Sequence, residues 1–301
     1  MKPLGSLALA LMIAPAMASA HDGAHPIATG APGWTSDPEV LLPLLITALL
    51  YAVGFARLRA RSIEGRAAHA RNGACFLAGW AVLAFAVVSP LHEGGERSFT
   101  LHMIEHELIM LVAALLLAVS RPLGVMLWAL SVWGRQALAG VTRTTWLKPL
   151  WRALTNPIVA TGLQAVAMIG WHMPALFDRA LDYDGWHVAQ HLSFLVTALL
   201  FWWAMTQRRS HGGYMLSALC LFATSLIGGA LGALMTFSSS PWYAGYAAMG
   251  MTPFGLSPAE DQQLAGLIMW IPGGMVHAGA ALWLLEKGLR RRVSRDATLV
   301  L

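Results

Sequence analysis

HMIEHELIMLVAALLLAV, residues 102–119, decides how this chain is read. From Leu108 onward it is an apolar run of the kind that crosses a bilayer as a helix. Its head is different: His102, Glu105, His106 and Glu107 are crowded into two turns, with Met103 and Met110 among them. Ionisable groups are expensive inside a membrane and mark function by default. His102, His106 and Met110 follow one another at i, i+4, so they form one stripe along the helix. Glu105 and Glu107 have a blander reading, in the headgroup region or as caps on the positive helix start.

Outward from this stretch the rest of the chain has the same character. The 301 residues are 57% hydrophobic and 12% charged, against about 25% charged in soluble domains. Seven apolar segments are long enough to span, at roughly 39–57, 72–89, 99–119, 157–174, 186–206, 214–237 and 262–286. The fold expected is an all-α polytopic membrane helical bundle, with seven transmembrane helices after a cleaved signal peptide. Residues 1–20 read as that signal: Lys2, then the apolar LALALMIAP, then Ala18-Ser19-Ala20 as the cleavage site. Residues 21–38 form an extracytoplasmic tail, 39–287 the membrane domain and 288–301 a basic cytoplasmic tail. With the mature N-terminus outside, the inner loops hold every one of the 20 basic residues except Lys2, Arg97 and Arg179. That bias fixes an N-outside, C-inside orientation in the inner (plasma) membrane. It also accounts for the formal charge of +5 through anionic lipid, with no nucleic acid partner.

Several local features refine this picture. Trp171, Trp186, Trp242 and Tyr243 are expected at the outer interface, and Trp146, Trp151, Trp202 and Trp203 at the inner one. In the long inner loop, Leu123, Leu127, Leu130 and Trp133 have helical spacing and predict an interfacial helix. Gly228 and Gly232 form a GxxxG close-packing signal. Pro272, in Ile271-Pro272-Gly273-Gly274, predicts a kink in the last span. Cys75 and Cys220 fall in apolar runs as small buried residues, without CxxC spacing.

Six of the eleven histidines fall toward the outer leaflet: His92, His102, His106, His172, His187 and His191. His187 and His191 make a second i, i+4 pair, and Gln164, Met168 and His172 a third stripe. Two helices that each offer two imidazoles one turn apart supply four nitrogen ligands to one metal ion. Nearby thioethers favour a soft ion, above all Cu(I). The candidate metal residues are therefore His102, His106, His187 and His191, with His172, Met110 and Met168 in support. The same imidazole pairs also suit the axial positions of a haem, as in a membrane cytochrome. Met269, the Pro272–Gly274 break, Met275 and His277 would suit a copper transporter, and a scaffold with packed histidines is a fourth reading. The zinc-protease motif is incomplete, because HELIM has Met110 where HExxH needs its second histidine. A chain cleaved before His21 would also offer a terminal amine and an imidazole, a chelating pair for copper.

HMIEHELIM resembles the HMxxHMxxM signature of the multi-span CtaG family of cytochrome c oxidase assembly factors. GWHMPALFDRAL with HVAQHLSFLVTALLFWW, then PWYAGY and GLSPAEDQQLAGLIMWIPGG, are similar to the family's central and C-terminal blocks. One departure is Glu107, where many members have methionine. The resemblance implies a non-enzymatic role in building a haem–copper oxidase by supplying or placing copper, with oxidase subunits and copper carriers as partners. N-terminal sequencing of the mature chain is expected to read HDGAHP; any other start removes His21 as a terminal chelator.

Overall fold

The computed structural model describes residues 32–61, 65–142, 147–207 and 211–299, which are helical with no strand among them. The expected signal peptide, His21, His25 and Trp146 lie outside the described residues. The helices are α1 (Pro38–Arg61), α2 (Arg66–Val88), α3 (Pro90–Gly95) and α4, which runs Phe99–Ser120. Then come α5 (Pro122–Met126), α6 (Val132–Thr142), α7 (Leu147–Leu154), α8 (Pro157–Trp171) and α9 (Pro174–Asp182). Last are α10 (Asp184–Thr206), α11 (His211–Thr236), α12 (Ala244–Met249) and α13 (Pro258–Leu299).

Six of these are long and apolar enough to cross a membrane, and α7 with α8 makes a seventh if the bent pair counts as one span. The fourth expected span thus differs in form. At about 1.5 Å per residue, the 15 residues of α8 reach about 22 Å, short of a hydrocarbon core of about 30 Å. The chain bends by 69° between α7 and α8. Pro157 at the first helical position and the Asn156 side chain, which accepts from the Ile158 N–H at 3.0 Å, begin a new helix there.

Helix α4 is the hub of the bundle. Its span window is 61% buried, against 17% for α1 and for α2, and it packs on α2, α10 and α13. The polar head of α4 therefore faces protein. Leu45, Leu49, Leu77, Phe222, Leu226 and Leu282 lie exposed on the outer helices, an apolar surface suited to lipid. Within α4, Leu108–Ala113 widen into a π turn. Such turns disturb the i→i−4 ladder, and here the Trp202 indole N–H from α10 donates to the Met110 carbonyl at 2.8 Å. Trp202 is consequently buried rather than at an interface. So is Tyr243, stacked 4.0 Å from the Phe177 ring.

Glycines set the closest approaches. A Cβ on Gly232 of α11 would stand 2.7 Å from the Gly266 carbonyl oxygen of α13. The GxxxG signal is thus used chiefly through Gly232, with Gly266 as its unforeseen partner. Gly54 of α1 likewise lies against the Val125 carbonyl of α5. The expected interfacial helix is divided: α5 gives way to a short 3-10 turn at Leu127–Ala129, and Leu130 is extended. The physical reason is anchoring, since Arg57 donates to the Ala129 carbonyl at 2.7 Å and Val125 and Met126 are buried. Trp133, in α6, remains 78% exposed. Helix α13 continues through Pro272 as one helix. Cys220 is buried and Cys75 half-buried.

The start of α13 holds the start of α4. The Asp261 carboxylate accepts from the Phe99 N–H at 2.6 Å, the Thr100 N–H at 3.2 Å and the Ser98 hydroxyl at 2.9 Å. The Thr100 hydroxyl donates back to the Asp261 carbonyl at 3.0 Å. A carboxylate at a helix N-terminus meets both the free N–H groups and the positive end of the dipole. Next to it, the Gln262 side chain accepts from the Trp242 N–H and donates to the Ser240 carbonyl. Asp261→Ala should therefore lower the stability of the detergent-solubilised protein by about 2–4 kcal/mol, and Asp261→Asn by less. Thermal unfolding measures both; an alanine variant as stable as the parent would show that this cap contributes nothing.

Candidate metal centre

The polar head of α4 meets two other elements at one end of the bundle. Ser89 caps α3, its hydroxyl accepting from the Leu91 N–H, with Pro90 at the first helical position. This short helix brings His92 over α4. Helix α10 begins at Asp184 and presents His187 and His191 one turn apart. Gly95 permits the approach of α3, since a Cβ there would stand 3.2 Å from the His102 Cα and 3.5 Å from Glu105 Oε2. The Tyr246 hydroxyl donates to the Gly95 carbonyl and the Tyr243 hydroxyl to the His172 carbonyl, so the segment around α12 ties down α3 and the end of α8.

Five imidazoles converge there. Ring centroids are 4.2 Å apart for His102–His106, 4.5 Å for His187–His191, 5.0 Å for His106–His191 and 5.1 Å for His92–His187. His102 and His187 are stacked at 5.7 Å. The nitrogens of His92, His187 and His191 lie within 4.8 Å of one another, close enough to share an ion. The rings of His102 and His106 pack against this trio through His187 and His191, so the four expected histidines neighbour one another while the closest nitrogens include His92 in place of His102 and His106.

Glu105 sits at the centre with no exposed surface. Its Oε1 lies 2.8 Å from His92 Nδ1 and 3.1 Å from His191 Nε2. The second contact is an ionic approach without hydrogen-bond alignment. Burial disfavours the charged form of His92, but the hydrogen bond and charge of Glu105 outweigh it and raise the pKa above the usual histidine value. Glu105 is therefore neither a headgroup residue nor a cap, and His92 belongs to the cluster. The signal for Glu105 was its place at i+3 from His102, on the same face. Glu107, five residues on from His102, is turned about 140° from it by helical geometry and lines a separate cavity.

Much of the cluster's hydrogen-bonding capacity is unused. Both ring nitrogens of His102 and of His106, Nε2 of His187 and Oε2 of Glu105 are buried without partners. Each such group costs about 1–3 kcal/mol, so the donor set fits a bound cation better than a packed core.

The three supporting candidates stand outside the five-ring group, with His172 nearest to it across the Phe194 ring. His172, at the end of α8, bonds its own Met168 carbonyl through Nδ1 at 2.7 Å, leaving Nε2 buried and unpartnered. Its ring neighbours Phe194 at 6.5 Å. Met110 and Met168 line a cavity beyond the cluster, between α4, α8, α11 and α13, together with Met269 and His277. Met275 is 70% exposed on the outer surface of α13.

The family model for the cytochrome c oxidase caa3 assembly factor, Caa3_CtaG, matches residues 49–291, a range that contains every residue of the cluster. The chain is 30% identical over 247 residues to uncharacterized protein Mb0105 of Mycobacterium bovis and, equally, to uncharacterized protein MT0111 of Mycobacterium tuberculosis. It is 26% identical over 250 residues to uncharacterized protein ML1998 of Mycobacterium leprae. These matches cover 79% of the chain and 36% of each relative, so the chain spans about a third of their length. No solved structure matches.

The His92–Glu105 pair is open to direct measurement. In a double-mutant cycle of His92→Ala and Glu105→Gln, the expected coupling energy is about 1.5–3 kcal/mol, the range of a hydrogen bond to a charged group. Denaturant unfolding in micelles reads it; additive effects would mean that the two side chains do not interact.

Proposed function

This chain belongs to the cytochrome c oxidase caa3 assembly factor family, and from that premise we propose that it is a non-enzymatic membrane factor that takes up copper for the oxidase through its histidine cluster. The observation that carries this reading is the convergence of imidazoles from α3, α4 and α10 around buried Glu105, with so many ring nitrogens left unpartnered. Copper is the cargo here, not a resident cofactor. His102, His106, His187 and His191 would hold it through neutral ring nitrogens, which suit copper. Glu105 orients His92 and His191 and supplies a negative charge against the ion, as carboxylates beside metal-binding histidines do. His172 stands beside the cluster at the same end of the bundle, and Met110 and Met168, deeper in it, are the next groups an ion would meet.

Orientation follows from charge. Arg97 and Arg179 are the basic residues of the loops at the cluster's end. Arg57, Arg121, Arg135, Arg152 and Arg290 belong to the opposite end. The positive-inside rule then puts the cluster on the extracytoplasmic side of a multi-pass inner membrane protein, where copper carriers exchange metal. The partners in this reading are such carriers and the oxidase subunits that receive copper.

Metal analysis of the purified protein tests it. Copper bound to the wild type is expected to fall by at least one equivalent when His102, His106, His187 and His191 all become alanine, and oxidase activity in cells should fall with it. Unchanged copper stoichiometry in that variant would sink the site. Normal oxidase assembly in it would favour a scaffold. A Soret band in the reduced-minus-oxidised spectrum would favour haem.

A further inference from the structure

Beyond the cluster, toward the middle of the bundle, the cavity of about 20 Å³ between α4, α8, α11 and α13 has its own chemistry. Room for one water begins at about 10–15 Å³, so this space takes a single small ion or water and no organic ligand. Three thioethers line it, one from each of three helices: Met110, Met168 and Met269, each less than a tenth exposed. Two polar atoms on its wall are buried without partners, Glu107 Oε2 and Gln164 Oε1. Gln164 as a whole is 4% exposed.

Glycines keep the space open. A Cβ on Gly228 would stand 3.7 Å from Met168 Sδ and 4.0 Å from Met269 Cε, which places both methionine ends over one bare stretch of α11. A Cβ on Gly273 would stand 3.2 Å from Glu107 Oε2. Methionines alone would be packing. An unpartnered carboxylate among them is not, because a lone carboxyl group at membrane depth is costly. The side-chain oxygens of the wall, from Glu107, Gln164, Thr224 and Ser225, number five, short of the six or more that a hard cation such as Ca²⁺ takes, and the Thr224 hydroxyl already donates to the Cys220 carbonyl. Thioethers select a soft ion, and one carboxylate balances one positive charge.

We propose that this cavity is a second binding site, for a soft monovalent cation of the Cu(I) and Ag(I) class, with Met110, Met168 and Met269 as thioether ligands and Glu107 as counter-charge. Met110 lies one turn, about 6 Å of helix, beyond His106. The site therefore deepens the copper reading of the histidine cluster, which would stand above it as the first station on the same stripe. His277, which also lines the cavity and bonds the Gly273 carbonyl through Nδ1 at 2.8 Å, fixes the wall of α13 beside it.

The test uses the full chain in nanodiscs, titrated with Ag(I) and, anaerobically, with Cu(I) against a competing chelator. X-ray absorption then reads the ligand shell. The wild type is expected to show metal–sulfur scattering. The triple variant Met110→Leu, Met168→Leu, Met269→Leu, close to volume-conserving and so expected to fold, should lose that sulfur shell and one equivalent of metal. The histidine quadruple-alanine variant should keep the sulfur shell. Glu107→Gln, in an otherwise unchanged chain, should weaken Ag(I) binding about tenfold or more. A wild-type spectrum without sulfur scattering, or a sulfur shell unchanged in the triple leucine variant, overturns the proposal. Loss of nitrogen scattering alone in the histidine variant supports both sites. Unchanged nitrogen scattering there overturns the histidine site and leaves the thioether site standing.

Discussion

A carboxylate with no exposed surface cannot be left alone at the edge of a bilayer, and Glu105 is such a group. Its desolvation has to be offset by neighbours. His92 and His191 provide the offset from two other helices, so satisfying one side chain of α4 fixes the placement of α3 and of the start of α10. The buried rings of His102 and His106, with the His187 ring stacked on His102, fill the remaining space around it. Much of the architecture follows from making α4 the most buried of the long apolar helices.

The same constraint explains the opposite ends of contacts that look purely structural. A buried helix start leaves N–H groups that lipid cannot satisfy. Asp261, more than 160 positions along the chain, meets them. Tyr243, Tyr246 and Gln262 then secure the loop before α13 to α3, to α8 and to itself. Farther along, Gly232 and Gly266 let α11 and α13 touch backbone to backbone. That rigid pair forms one wall of the central cavity, opposite α4. Stability and site geometry are thus set by the same few contacts, and a change at Asp261 would be felt at the histidines.

Glu105 and Glu107 show how two residues apart on one helix become parts of two environments. Glu105 shares the face of His102 and gathers imidazoles from α3 and α10. Glu107 turns toward Met110, Met168 and Met269. In the family signature that the stretch resembles, position 107 is often methionine. Here a carboxyl group stands on that face, in a wall that also holds thioethers, an amide, hydroxyls and an imidazole.

The hydrophobic runs, the two HxxxH pairs and the basic loops were legible in one dimension. Each depends only on spacing along a helix or on counting charges between spans, and these fixed the membrane class, the helix count to within one and four of the clustered histidines. His92 lies on a separate short helix, and Glu105 was ambiguous between headgroup, cap and core. Met110 and Met168 share stripes with His106 and His172, yet they line a different space. Trp202 and Tyr243 fit the aromatic pattern of an interface and are buried. These matters were decided only when helices distant in sequence packed together. Periodicity gives the face on which a side chain lies, whereas what that face meets depends on which other helix is driven against it to satisfy buried charge and backbone.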